Sequence, residues 1–314
     1  MHGNRDITRG QLARFLFTRG LWLIVLELTL FHFYWSRNLD FSQMGGFVLW
    51  ALGCSMIVLS VLVYLPLPVT AGFGLVLIAG HNAFDSVSPY DVWPTIGGIW
   101  AVLHGGALVP VGSIATFFPA YPLVPWIGVM AVGYCFGAIL QLDRPRRRAI
   151  VFVLGVVLIA AFHVLRGLNG YGDPNPWVLQ EDFALAACTI GNCTKYPPSL
   201  CYLLMTLGPA LIFLAATDCE PGWLRRRFIV FGRVPLFFYL LHLPLILVFA
   251  FICAWMQLPY REFDQILKGP RQELGSLPLV YGVWAAVILI LYPICAWYAG
   301  FKQRHPDWWI RTYL

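Results

Sequence analysis

Charge is scarce in this sequence. Only 11% of its 314 residues are Asp, Glu, Lys or Arg, against 59% apolar side chains. An ordinary soluble domain carries about 25% charged residues, so a globule of this size would lack the charge to cover its surface. That excludes a soluble enzyme and a nucleic-acid-binding protein. A chain this apolar, with a mean hydropathy of +0.72, is not a disordered one either. Also lacking is an A-x-A-like site after the first apolar run, so no cleavable signal peptide is expected. No internal repeat, low-complexity tract or linker interrupts the chain, and a single domain over 1–314 is expected.

Long apolar runs are what the sequence has. Eight of them, at 15–35, 46–65, 68–82, 122–140, 149–166, 198–216, 229–254 and 277–300, predict an all-α, polytopic transmembrane bundle of about eight spans. Basic residues cluster between the runs: Arg5, Arg9 and Arg14, with Arg19 just inside the first span; Arg144, Arg146, Arg147 and Arg148; Arg225, Arg226 and Arg227; Lys302, Arg304 and Arg311. With the N-terminus inside, every one of these clusters falls on an inner segment, and the outer segment 83–121 has no Lys or Arg. The net charge of +6 therefore reads as an orientation signal, N-in and C-in, with the lipid bilayer as the partner. Gly133 and Gly137, four apart on the fourth span, are placed to let another helix approach closely.

Five of the eight cysteines fall inside spans, where they are small apolar fillers. Cys188 and Cys193 share an outer loop, and an oxidising compartment would permit a disulfide between them. Metal ligation is the alternative, but the loop has no His partner, and no metal is expected.

The outer segments are too long and aromatic to be mere connectors. The ten residues Thr95 to His104 are apolar but too short to span, and are expected at the membrane interface. The 167–197 segment carries Asn169, Tyr171, Asp173, Lys195 and Tyr196 among Gly and Pro. Turn residues set around amides, aromatics and acids suit a sugar-like ligand. The same residues also build a tight loop.

Ionisable groups inside spans need a reason. Glu27 lies near the middle of the first span, either facing a cavity or pairing with a polar neighbour. His81 and Asp85 close the third span; at i and i+4 they share a helix face, and a carboxylate beside an imidazole fixes its tautomer for general-base work. His104 is a weaker candidate of the same type. In the seventh span His242 lies near mid-membrane and is the leading single catalytic candidate, with a kink expected at Pro244, and Arg233 sits near the cytoplasmic edge, where it would suit a phosphate.

The stretches Arg19 to Leu28 and Tyr121 to Met130, supported by Trp50 to Ile57, Asn169 to Pro174, Thr194 to Ser199 and Gly232 to His242, resemble the bacterial heparan-α-glucosaminide N-acetyltransferase-like membrane family. The likeness runs over nearly the whole chain. It implies a multi-pass protein of the bacterial inner membrane that takes acetyl-CoA as co-substrate from the cytoplasm. Acetyl would pass to an amino or hydroxyl group of an extracytoplasmic sugar. Arg233 would then lie near CoA, and His81, Asp85, Tyr171, Asp173 and Lys195 near the acceptor. Members of that family begin with about two further spans and an outer-side histidine, so the chain is expected to be N-terminally incomplete. The alternative is a non-enzymatic transporter or partner subunit.

Overall fold

The computed structural model describes residues 8–88, 96–220, 222–257 and 276–305. Arg5, Tyr90, Trp93, Thr95, Arg311 and most of the expected outer segment 255–276 lie outside the described residues. The chain is mostly helical and divides into two compact units, 1–219 and 220–314.

In the first unit, α1 (Arg9–Leu26) opens on a capping box. Thr8 Oγ1 accepts from the Gln11 amide at 3.2 Å and Gln11 Oε1 accepts from the Thr8 amide at 3.0 Å. A single π turn (Glu27–Phe31) carries α1 into α2 (His32–Ser36). Next come α3 (Val48–Leu62) and α4 (Leu67–Gly80), the latter closed by a 3-10 turn over His81–Phe84. The short α5 (Gly97–Trp100) runs into a second π turn, Ala101–Gly105. Then follow α6 (Leu123–Leu140), α7 (Arg144–Leu168), α8 (Phe183–Gly191) and α9 (Leu200–Ala216). The second unit contains α10 (Trp223–Arg233), α11 (Pro235–Gln257) and α12 (Leu277–Arg304).

Among the described residues, six helical segments are long and apolar enough to cross a membrane: Arg9–Ser36, Leu67–Phe84, Leu123–Leu140, Arg144–Leu168, Pro235–Cys253 and Leu277–Arg304. Of the other two expected spans, α3 and α9 are apolar but only 15 and 17 residues long. The expected 229–254 helix is also broken: α10 stops at Arg233, and Val234 leaves helical geometry before α11 starts at Pro235. Proline fits a first helical turn because its missing N–H costs nothing there. The helix runs on through Pro244, so the interruption falls ten residues earlier than the kink expected there.

Three glycine pairs set the packing of the first unit. A Cβ on Gly20 would meet the Gly53 carbonyl at 2.6 Å, one on Gly74 the Gly128 carbonyl at 2.8 Å, and one on Gly155 the Gly208 carbonyl at 2.9 Å. These contacts bring α1 against α3, α4 against α6, and α7 against α9. Lipid offers helices no hydrophobic drive to associate, so close backbone approach supplies the attraction. Gly133 and Gly137 are not used in this way. Among the described residues nothing lies within 4 Å of a Cβ built on either.

The helices of the first unit alternate between two ends. At one, Arg9 Nη1 donates to the Tyr64 carbonyl at 2.9 Å, and Arg147 donates to both carboxylate oxygens of Asp218 at 2.8 and 2.9 Å. The other end carries the long connections, and here the all-α expectation needs correction. Strands β1 (Gln43–Gly46), β2 (Val109–Val111) and β3 (Ala115–Pro119) form a sheet in the order β1-β3-β2. Met44 lies opposite Phe117 in the parallel β1–β3 pair, and Val109 opposite Phe117 in the antiparallel β2–β3 pair. Strands of three to five residues are too short to show a period of two.

Glu27 sits where the π turn begins and is 1% exposed. Its Oε2 accepts the Leu49 amide at 2.8 Å and the Trp50 amide at 3.4 Å. The carboxylate thus caps the start of α3 from a neighbouring helix, where free N–H groups and the helix dipole favour it. Of the two readings of Glu27, this one pairs it with its neighbour's backbone.

Candidate functional site

The loop end of the first unit gathers most of the chemistry-bearing side chains. The backbone turns into a 3-10 helix at His81, so Asp85 does not simply stack on His81. Asp85 Oδ2 accepts from Asn82 Nδ2 at 2.8 Å, and Oδ1 lies 3.6 Å from Nε2 of His104. His104, 4% exposed, is held by the π turn after α5. Its Nε2 is 2.8 Å from the His81 carbonyl, and its ring stacks on Trp100 at 5.2 Å. A backbone acceptor and a carboxylate on the same side place the hydrogen on Nε2 and leave the lone pair on Nδ1. The imidazole–carboxylate couple expected of His81 and Asp85 is therefore made by His104 and Asp85.

His81 is a strut. Its Nδ1 lies 3.0 Å from the Ile78 carbonyl and its Nε2 3.0 Å from the Pro198 carbonyl. Both nitrogens face acceptors of the chain itself. Asn82 works beside it, its Oδ1 accepting the Leu200 amide at 2.9 Å. Together they fasten the loop before α9 to the end of α4.

Asp173 organises that loop. Its carboxylate accepts from Asn175 N, Thr194 N, Thr194 Oγ1 and Ser199 Oγ at 2.7–3.0 Å. Arg166 Nη1 stands 3.9 Å from it, the two side chains being 4% and 2% exposed. The same guanidinium donates to the carbonyls of Thr189, Ile190, Asn192 and Asn175 at 2.9–3.2 Å, closing the C-terminal end of α8. Asn169, in left-handed geometry at the end of α7, uses its amide twice on the backbone of Trp177. Asn169 and Asp173 were candidates for sugar contact, and here their polar atoms hold the loop itself.

Tyr171, Lys195 and Tyr196 are more open. The Tyr171 hydroxyl donates to the Ala79 carbonyl. Burial, then the nearby Asp85 carboxylate, holds its phenol above the usual range. The Tyr196 hydroxyl lies 3.2 Å from that of Tyr121, the rings meeting edge-on at 5.0 Å, and Lys195 Nζ sits 5.1 Å over the Tyr196 ring. The Tyr121 hydrogen bond, and then Lys195, hold the Tyr196 phenol below its usual range. Tyr196 is 51% exposed, so this aromatic pair with a cation beside it faces outward.

Cys188 and Cys193 are unbridged. Cys188 is exposed on α8. Cys193 lies beyond the helix end and packs with Phe162, Leu200 and Cys201. Burial pushes its thiol up to about 11. Among the described residues no group of three or more His, Cys, Asp or Glu could hold a metal.

Arg233 and His242 belong to the second unit. Arg233 is exposed in the last turn of α10, a helix carrying Arg225, Arg226 and Arg227. A cation there is favoured by the helix dipole. His242 Nδ1 lies 2.6 Å from the Tyr239 carbonyl, and its ring stacks on Phe238 at 5.5 Å. It lines a cavity of about 490 Å³ between α11 and α12, otherwise walled by apolar side chains and Cys253.

Arg166 was missed, although an arginine closing an apolar span is itself a warning of an internal partner. Asn82 and Ser199 carry no signal in the sequence beyond their polarity. No family model, curated protein or solved structure matches the chain.

Proposed function

We propose that this protein is a multi-pass membrane acetyltransferase of the heparan-α-glucosaminide N-acetyltransferase-like type. In this reading all eight apolar helices cross, the basic end and both termini face the cytoplasm, and the membrane is a bacterial inner membrane. The gathering of Arg9, Arg144 and Arg147 at one end of the first unit supports that orientation.

One observation carries the activity: a buried imidazole, His104, whose Nε2 is committed to the His81 carbonyl and the Asp85 carboxylate. Its Nδ1 is the base. The acceptor amine or hydroxyl attacks the thioester carbonyl of acetyl-CoA while its proton passes to Nδ1. The new C–N or C–O bond forms, the C–S bond breaks, and the same proton leaves with the CoA thiol. Asp85 stabilises the imidazolium in between. Lys195, Tyr196 and Tyr171 receive the sugar, and Arg233 is assigned a CoA phosphate by the resemblance alone.

The test is release of free CoA thiol by the purified protein given acetyl-CoA and a panel of amino sugars. His104→Gln is expected to lower kcat by roughly 10²–10⁴-fold. Arg233→Ala is expected to weaken CoA binding about tenfold, as for the loss of one charged hydrogen bond. Absence of thiol release with every amino sugar would overturn the reading.

A further inference from the structure

α3 and α6 leave a groove between them of about 490 Å³. Its wall is almost wholly apolar, with Leu52 41% exposed at its edge. From Trp126 to Tyr134 it follows α6 over a rise of ~12 Å at ~1.5 Å per residue. Two polar atoms of the lining residues, Oγ of Ser55 and Nε1 of Trp126, are closed off behind this wall with no hydrogen-bond partner among the described residues. Ser55 is 1% exposed. An indole N–H can only donate, and leaving it buried without an acceptor is costly. At one end of the groove stands Tyr121, whose ring lies 5.8 Å from that of Trp126. Its hydroxyl meets that of Tyr196, over which Lys195 is placed.

We propose that this groove binds the tail of a lipid-linked sugar, whose phosphorylated head rests on Tyr121, Tyr196 and Lys195. An apolar tail matches the wall, and the Lys195 ammonium over the exposed Tyr196 ring attracts the phosphate at the mouth. The cation and exposed ring pair at the mouth select an anionic glycosyl head over a zwitterionic one. The inference rests on the transferase reading for its meaning, because it names the acceptor as a sugar carried on lipid.

The test reads binding alone, without acetyl-CoA. The whole chain in phosphatidylcholine nanodiscs is irradiated with a diazirine-tailed alkyl phosphate capped by glucosamine, or with phosphatidylcholine bearing the same diazirine tail. The glycolipid is expected to label segments 48–59 and 126–134. Gly133→Phe should abolish that labelling by filling the groove, since nothing lies within 4 Å of a Cβ at Gly133. Lys195→Gln removes the cation at the mouth and should weaken labelling about fivefold through loss of one charged contact; it serves as the second variant if Gly133→Phe does not fold. Equal labelling by the phosphatidylcholine probe would show bulk lipid only and overturn the proposal. Labelling unchanged in the variants that fold would do the same. Thiol release with soluble amino sugars but no labelling removes the lipid inference alone. Labelling without thiol release removes the transferase reading and keeps the groove.

Discussion

The ring of His104 hangs by its Nε2 from the backbone carbonyl of His81, 2.8 Å away, so the two histidines hold different jobs in one cluster. Both His81 nitrogens stand beside backbone carbonyls, and the one that carries the hydrogen donates, whereas the carbonyl contact of His104 is at Nε2. Substitutions should separate them. His81→Gln is expected to lower thermal stability and loosen the loop before α9, with KM rising more than kcat falls. His104→Gln is expected to spare stability and remove kcat. Steady-state kinetics alongside melting curves in detergent check this, and equal kcat losses at the two positions would contradict it.

Asp173 and Arg166 make a second distinction. Removing the Asp173 carboxylate strands four donors and a buried guanidinium, so Asp173→Ala should cost about 3 kcal/mol or more. Proteolysis between 169 and 199 should quicken in step. If Asp173→Ala melts like the parent and loses only sugar affinity, Asp173 is a ligand group and not a loop organiser.

The thiols give a chemical test of the loop. With the Cys193 thiol pushed up to about 11 by burial, only a small part of it is thiolate near pH 8. Iodoacetamide at that pH is expected to modify exposed Cys188 well before Cys193. Peptide mapping without reductant should find no Cys188–Cys193 bridge. A bridged peptide in the native protein would overturn the described packing of Cys193 against Cys201.

Tyr196 should titrate early. Its phenolate is favoured by the Tyr121 hydroxyl and by Lys195, so as pH rises it loses its proton ahead of an ordinary tyrosine of pKa ~10. Tyr196→Phe should delete the first step of the phenolate absorbance change. Tyr121→Phe should move that step upward, and an unchanged titration in both variants would contradict the described contact.

Much of this architecture was legible because membrane insertion writes itself into composition. Scarce charge and apolar runs marked the long helices, and the clusters around Arg9 and Arg147 marked one end of the first unit. Less legible were features set by contact across the chain. Asp85 finds His104 only because a 3-10 turn and a π turn bring together residues on different elements. Gly20 and Gly53 lie on separate helices and form no local motif, while Gly133 and Gly137 form the motif, and a Cβ on either would meet nothing within 4 Å among the described residues. The break at Val234–Pro235 was hidden inside an unbroken apolar pattern, and short strands such as Val109–Val111 give no readable period. Asn169 and Asp173 looked like ligand groups because loop-building and sugar-binding use the same side chains.

The most direct measurement is acetyl transfer across a sealed membrane. Proteoliposomes would enclose acetyl-CoA, with a glucosamine-bearing lipid phosphate in the outer leaflet, and the parent chain would be compared with His104→Gln. Acetylated lipid in the outer leaflet, formed by the parent and lost in the variant while CoA binding persists, is the expected result. Transfer undiminished in His104→Gln, or no acetylation by a parent chain that binds both substrates, would contradict the account.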